Sequence, residues 1–470
     1  MGRSALVEAY EARVAGGGLA LIDGARNVTW DALDALARGH AARLAALGVG
    51  PGERVAVMLP TSVELIAVTL AHLRLGVVHV PINTRYQPDE VDYIVTHAEV
   101  RVLISDWQES EPMVRWSDEP AADDVAMIIY TSGTTGRPKG VMQTHASLAA
   151  NIGAVMRLWR VSSSDVLSLA LPLFHVHGLG LGVIGALLLS GARVRLHAKF
   201  EVRAIVADFV TSADPATLFM GVPTMYHGLL AHLDAHPDDG RALAGARLFT
   251  AGSAALAAHA FERFREATGH AILERYGMTE TGFTLSNPYD GERRAGTVGK
   301  AVPGVDVRVA DGEIQVRGAS LSRGYWRDPE ATAASFTADG WFKTGDVAEV
   351  DDDGYHRIVG RASTDIIKSG GFKIGAREIE DVLAKDERLV EVAVIGVPDD
   401  KWGEIVAAVV VAKPGVALPE TLLAELQALA GEHLADFKRP RAVCVIDALP
   451  RNAMGKVQKP PLRALFTAPR

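Results

Sequence analysis

Cysteine is nearly absent: Cys444 is the only one in 470 residues. A single thiol excludes an intramolecular disulfide and any metal site built from several cysteines. Its setting, AVCVI, reads as a buried strand, which argues against a nucleophilic thiol. A chain without disulfides fits a reducing, cytoplasmic compartment. Long apolar runs are missing too. The most apolar stretch, 166–192, is broken by Pro172, His175, His177 and several glycines, whereas a membrane span needs ~20 apolar residues. It reads as two buried elements joined by a functional turn. The opening residues, MGRSALVEAYEARV, carry charges where a secretory leader needs an apolar core, and Leu6 breaks the myristoylation pattern. Basic excess is also lacking: 48 Lys and Arg face 57 Asp and Glu, for a net charge of −9. No nucleic-acid partner and no membrane partner are therefore expected, since phosphate backbones demand a basic surface. A local cluster of Lys and Arg can still hold nucleotide phosphates on an acidic protein.

What is present is alternation. The length exceeds a single ordinary core and suggests two to four units. Apolar residues recur at helical spacing over 30–47, and a Gly/Pro turn at 48–52 ends the run. A short buried strand (54–59), an apolar helix (62–75) and another strand (77–81) follow. Strand–helix–strand order implies parallel βαβ units. Residues 107–124 are acidic and polar and read as an exposed loop. The alternation resumes at Val125 and runs to about residue 290. From 300 to 358 it gives way to short strands with Gly and Asp turns, the pattern of an antiparallel barrel or small sheet. A last unit occupies 362–470, with strands in EVAVIGV, EIVAAVVVA and RAVCVID and a helix in LPETLLAELQALAGEHL. The change of pattern places a domain boundary near 360–365, dividing the chain into 1–361 and 362–470.

The strongest local signal is YTSGTTGRPKG at 130–140, directly after the strand from Val125. Glycines let backbone N–H groups converge on phosphate oxygens, hydroxyls add donors, and Lys139 adds a point charge. The Gly-Lys-Ser/Thr ending of a Walker loop is absent. A plain flexible loop would not concentrate three threonines, a serine and a lysine among its glycines.

This segment resembles the phosphate loop of the adenylate-forming superfamily, which includes acyl-CoA synthetases, firefly luciferases and peptide-synthetase adenylation domains. Further stretches resemble the family's other motifs in order: LPLFHVHG (171–178), AGSA (251–254), ERYGMTET (274–281), WFKTGD (341–346), the run 360–380, and PRNAMGK (450–456). The resemblance spans nearly the whole chain. It implies an α/β fold: a large N-terminal domain of doubly wound α/β subdomains with a small β-barrel, then a small mobile α+β C-terminal domain. It implies an ATP-dependent carboxylate–CoA ligase that uses ATP, Mg2+ and coenzyme A. Attack of a carboxylate on the α-phosphorus joins two anions, so positioned cations and dipoles matter more than acid–base groups.

The roles carried over are as follows. Lys456 is the cation on the adenylate, and Glu280 is the magnesium ligand with Thr135 beside it; Lys139 joins them as catalytic. Thr131, Ser132, Gly133, Thr134, Thr135 and Gly136 hold phosphates. Gly252, Ser253, Ala254, Arg275, Tyr276, Gly277, Met278 and Thr279 line the adenylate, with Tyr276 stacked on adenine. Asp346 accepts the ribose hydroxyls, and Arg361 reaches the ribose or phosphates. His175, Ser253, Met278 and Arg294 face the acid. His177 carries its structural reading, a buried hydrogen-bonding residue, equally well. Lys368, Ser369, Gly370 and Gly371 face the pantetheine arm, glycine permitting close approach. The hinge falls in 361–365.

Within the superfamily the chain is most similar to malonyl-CoA and methylmalonyl-CoA synthetases, through LPLFHVHGL, GVPTMY, ATGHAILERYGMTET, SNPYDGERRAGTVG and STDIIKSGGFKIG. A second carboxylate argues for an arginine clamp, and Arg294 is preferred over Arg293. One departure stands out. Those enzymes usually carry an arginine directly after the segment matching Met225-Tyr226-His227, and this chain has Gly228. A small residue there is expected to enlarge the pocket, with His227 replacing part of the charge. The expected substrate is malonate or a small substituted malonate. The alternatives are a neutral fatty or aromatic acid, or adenylation for a carrier protein in trans. A non-enzymatic nucleotide binder would be expected to lack Lys456 or Glu280.

Overall fold

The structure, a computed structural model, describes every residue except 1, 113–115, 117–118, 132–137, 211, 362–364, 370–371, 400, 453–454 and 468–470. Two compact units emerge: 2–307 with 316–342, and 308–315 with 343–467.

The first unit contains two sheets. In the smaller one Arg54–Val57 pairs in parallel with Val78–Pro81 and Val102–Ile104, and Val78–Pro81 with Val125–Thr131. The helices Val63–Leu75 and Pro88–His97 make the crossovers, as strand–helix–strand order requires. Ser62 caps the first of these, its hydroxyl accepting from Leu65 N. The strand Lys139–Thr144 then turns back antiparallel on Val125–Thr131, with Thr131 opposite Lys139. The segment expected to hold phosphates thus falls between two strands of a hairpin, and its residues 132–137 lie outside the described ones.

The larger sheet has nine strands, with Leu248–Ala251 and Leu273–Met278 parallel neighbours near one end. Stretch 166–192 forms a strand, Val166–Leu169, and a wide π-type helix, His177–Ser190, with a turn between them, which are the two buried elements expected. Gly178 is required at that turn, because a Cβ there would lie 2.3 Å from the Pro172 carbonyl.

Val305–Ala310, Glu313–Gly318, Phe342–Val350 and His356–Arg361 form a four-stranded sheet in that order. Among the described residues it stays an open sheet, one of the two forms the strand pattern allowed; the small barrel that the resemblance implied is not closed. The second unit centres on a five-stranded sheet in which Leu389–Asp399 and Gly403–Ala412 form a long antiparallel pair. Helices Ala376–Leu383 and Leu422–His433 bury Ile379, Leu383, Leu422 and Leu426 against one face. Cys444 lies on the strand Ala442–Val445 at the edge of this sheet. That strand is half-buried rather than buried, because an edge strand is covered along one side only.

Candidate active site

In the first unit, three stretches distant in sequence converge on one small pocket. It is lined by residues 175–177, Ser253, Arg275, Gly277, Met278 and the corner 282–283. The corner is built by glycines. A Cβ on Gly277 would lie 2.3 Å from the Gly282 carbonyl oxygen, and Gly282 sits at φ +67°, a conformation that costs glycine little. Asn151 fastens it, donating from Nδ2 to the Phe283 carbonyl (2.9 Å) and accepting from Phe283 N at Oδ1 (2.7 Å).

Arg275 dominates the pocket. Its strand directs the side chain inward, where the guanidinium lies 4.7 Å from the Phe283 ring centroid. There is room because residue 252 is glycine: a Cβ there would fall 2.5 Å from Arg275 Cζ. Nε and Nη2 of Arg275 are buried and have no hydrogen-bond partner among the described residues. Burial pulls its pKa down to about 9, the mark of a cation that has lost water without gaining an anion.

His177 shares a 3.0 Å hydrogen bond between Nδ1 and Ser253 Oγ, and its buried Nε2 has no partner among the described residues. Burial, then the neighbouring Arg275 and His175, hold it well below the usual histidine range, so the ring is neutral. His175 Nδ1 accepts from the backbone N–H of His177 at 3.2 Å. Ser253 adopts φ +68°, an uncommon conformation for a non-glycine residue. The turn therefore presents its hydroxyl to His177, with Gly252 before it and exposed Ala254 after it.

A second cluster surrounds Glu280. Its buried carboxylate accepts from the Tyr325 hydroxyl at 3.1 Å, and Lys139 Nζ sits 4.9 Å from the Tyr325 ring centroid. The exit of the phosphate loop and the expected magnesium ligand are thus brought together through Tyr325. Gln143 ties the same strand to the ERYGMTET segment, donating from Nε2 to the Thr279 carbonyl at 2.5 Å. Among the described residues no group of three or more His, Cys, Asp or Glu side chains is placed to hold a metal. One buried carboxylate still fits Mg2+, which takes one or two protein carboxylates and completes its shell with phosphate and water. Tyr276 is half-buried on the same strand as Arg275. Ser132, Gly133, Thr134, Thr135 and Gly136 lie outside the described residues; Thr131 ends the strand before them.

Arg294 does not line the pocket. Its Nε donates to Glu292 at 2.9 Å, and Arg293 gives its N–H groups to the carbonyls of Pro288, Ala271 and Tyr289. Gly228, on helix Pro223–Ala235, does not line it either. Space beside Gly228 is already filled: a Cβ there would meet Val202 at 3.1 Å and Phe200 at 3.3 Å. Exposed His227 is also absent from the pocket wall.

In the second unit Arg361 grips Asp346 with both ends of its guanidinium, at 2.9 and 3.2 Å, on paired strands that place the two residues opposite one another. Lys368 and Ser369 belong to Ile366–Ser369, where Lys368 N donates to Glu404 Oε2 at 2.7 Å. Gly370 and Gly371 lie outside the described residues. Beyond them, half-exposed Phe372 stacks on Phe437 at 4.1 Å, and Arg441 covers Trp402 at 4.2 Å. Lys456 closes a tight turn: Asn452 Oδ1 accepts from Lys456 N at 3.0 Å, and Asn452 N donates to the Lys456 carbonyl at 2.9 Å. Arg275 as a pocket cation, Tyr325, Gln143 and the Phe372–Phe437 stack were not singled out in the sequence for these positions. Only the ERYGMTET motif gave a signal, and it drew attention to adenine rather than to the acid.

This fold and these clusters define an adenylate-forming enzyme, and the comparisons agree. The AMP-binding enzyme profile matches residues 9–118 and 105–326, and the AMP-binding enzyme C-terminal domain matches 378–456. The chain belongs to the AMP-binding enzyme family. It is 37% identical to a malonate–CoA ligase of Arabidopsis thaliana over 474 residues, covering 88% of this chain and 78% of that one. It superimposes on the crystal structure of ATP-bound MatB from Rhodopseudomonas palustris with a TM-score of 0.92, at 36% identity over 99% of each chain. The structure of a malonyl-CoA ligase ternary product complex with methylmalonyl-CoA and AMP bound gives a TM-score of 0.69 at 41% identity, over 92% of this chain and 96% of that one.

Proposed function

We propose that this protein is an AMP-forming carboxylate–CoA ligase acting on malonate or a small substituted malonate. The acid's carboxylate oxygen attacks the α-phosphorus of ATP and pyrophosphate leaves. The CoA thiol then attacks the acyl carbon and AMP leaves. The observation that carries the acid assignment is the set of pocket polar atoms that have no hydrogen-bond partner among the described residues: Arg275 Nε and Nη2, and His177 Nε2. A buried cation without a partner is strongly unfavourable, and an entering carboxylate can satisfy two guanidinium N–H groups at once. Arg275, rather than Arg294, is our candidate for the distal carboxylate, with neutral His177 and Ser253 beside it. The resemblance to malonate-using relatives supports the same class.

Glu280, with Thr135, would hold Mg2+, which when bound neutralises charge on the ATP phosphates. Lys139 adds a cation near those phosphates, and Tyr325 orients the Glu280 carboxylate. Asp346 and Arg361 serve the ribose, and Lys456 the adenylation step. Lys368, Ser369, Gly370 and Gly371 serve pantetheine. The Phe372–Phe437 and Trp402–Arg441 stacks offer aromatic planes and a cation suited to a nucleotide. A division at 361/362 with a hinge in 361–365, and a cytoplasmic location, go with this reading. Among the described residues no helix is long and apolar enough to cross a membrane.

The test is pyrophosphate release and thioester formation over malonate, methylmalonate, butyrate, octanoate and benzoate, with and without CoA. Malonate or methylmalonate should give the highest kcat/KM, and thioester should require CoA. A butyrate preference would overturn the malonate assignment, and pyrophosphate release with none of the acids would overturn the ligase reading.

A further inference from the structure

Three residues beyond Lys456, the side chain of Lys459 turns into the second unit. Its Nζ lies 2.9 Å from Asp365 Oδ1 and 2.7 Å from Glu380 Oε1, with the lysine only 14% exposed. Burial alone would lower the lysine pKa, but the Glu380 and Asp365 carboxylates outweigh it and hold the ammonium charged. Both carboxylates carry other duties. Asp365 Oδ2 accepts from Arg361 N at 3.0 Å, and its carbonyl accepts from Ala376 N at 2.8 Å. Glu380 Oε1 also accepts from Val394 N at 2.8 Å. One ammonium therefore joins the segment after Arg361, the helix Ala376–Leu383 and the chain just past Lys456.

The other side of the Lys456 turn is fastened as well. Arg451 pairs with Glu391 at 2.5 Å and donates to the Gly455 carbonyl at 2.6 Å. Gln458 N closes the turn on the Pro450 carbonyl at 2.7 Å. Leu449 and Leu462, buried against Ile395 and Val409, bracket the whole segment. Lys456 thus sits on a short turn whose apolar ends are packed and whose position along the sheet is set by two ionic clamps, of which the Lys459 clamp is the more buried.

We propose that Lys459 is a positioning residue for Lys456: through Asp365 and Glu380 it fixes the turn that carries the adenylation lysine. The inference rests on the ligase reading of Lys456. It predicts a selective defect. Without the clamp Asn452 can still close the turn, but the closed turn is held less firmly, so it opens more often and shifts. Misplacement of about 1 Å costs roughly 10²-fold in a step that depends on geometry. Thioester formation, which the reading does not assign to Lys456, should be spared.

The test uses the full chain and four variants, Lys459→Met, Lys459→Gln, Lys459→Arg and Lys456→Ala, together with the Lys456→Ala/Lys459→Met double variant. Pyrophosphate exchange reports adenylation, with malonate, methylmalonate or butyrate, whichever the wild type uses best. Thioester formation from the supplied acyl-adenylate of that acid reports the second step. Lys459→Met should slow exchange by roughly 10–10²-fold through kcat, with KM for ATP little changed, and leave thioester formation within about threefold. Lys459→Arg should restore most of the exchange, and the double variant should be little slower than Lys456→Ala, because residues acting through one group are not additive. Lys459→Gln removes the charge and shortens the side chain while leaving a polar group among the carboxylates, and provides the same ratio of half-reactions if Lys459→Met does not fold. Equal loss of both half-reactions, or full additivity with Lys456→Ala, would overturn the proposal. Amide hydrogen exchange at Gly455 and Lys456 separates this from failure of the ligase reading. It should quicken in Lys459→Met whether or not any acid is turned over, and an unchanged rate would overturn the proposal on its own.

Discussion

The Arg275 pocket and the Lys456 turn are built by opposite means. The pocket collects residues from three distant stretches and, among the described residues, leaves its main charge unpaired: Arg275 is buried with two N–H-bearing nitrogens unmatched. The turn is local in sequence, and the charges on either side of it, Arg451 and Lys459, are paired. A binding site gains by withholding a partner, because the ligand then supplies it and recovers the desolvation already incurred. A group that must hold one position gains from neighbours already satisfied, since they have no competing conformation to adopt. The pocket should therefore be sensitive to what enters it, and the turn to what holds it.

The largest effect should come from the turn. Lys456→Ala should lower pyrophosphate exchange by roughly 10²–10³-fold while leaving thioester formation from supplied acyl-adenylate nearly intact. Equal loss in both would place Lys456 outside adenylation and break the comparison. Next comes the pocket. Arg275→Met should reduce kcat/KM for malonate by about 10²-fold, within the 2–5 kcal/mol cost of stripping the partner from a buried charge, and should change butyrate by less than about threefold. Parallel loss on both acids would make Arg275 structural. Arg294→Met, by contrast, should leave the malonate-to-butyrate ratio near that of the wild type.

Acid should then separate packing from chemistry. In the first unit His40, His72 and His79 form a buried chain, with Nε2 to Nε2 at 3.1 Å and Nδ1 to Nδ1 at 3.0 Å. Burial foremost holds His40 at about 4, His79 at about 3 and His72 well below the usual range. All three are neutral in the fold, while unfolded imidazoles take protons near ~6.5. Their contribution to stability is thus complete above ~6.5 and is lost as pH falls toward 4 and 3. Tm should drop across that window, and less steeply in His79→Leu; identical slopes would remove the chain from the account. The smallest functional effect should be at position 228. With Phe200 and Val202 already beside it, Gly228→Arg should cost roughly 1–3 kcal/mol through overpacking and bring no gain on malonate. A gain in malonate kcat/KM would mean that Phe200 yields and the pocket extends to the helix.

Much of this protein was legible before any fold was known. The helix over 30–46 and the alternating strands followed from apolar spacing, because a 3.6-residue or two-residue period needs no partner to be seen. Ordered motifs marked Glu280, Asp346 and Lys456. The barrel or small sheet expected in 300–358 is an open sheet, because strand propensity specifies strands and not their closure. Gly228 read as added space, and only the fold shows Phe200, far upstream, occupying it.

By itself, then, the sequence determined the elements, their order and the identity of the charged groups, all of which depend on residues near one another in the chain. Which charges are paired and which are left waiting was decided by the tertiary structure. Gly252 makes room for the Arg275 guanidinium, Glu292 takes Arg294, and Asp365 and Glu380 take Lys459. Each of these outcomes depends on where two distant backbones meet, and a local pattern carries no information about a neighbour that arrives only on folding.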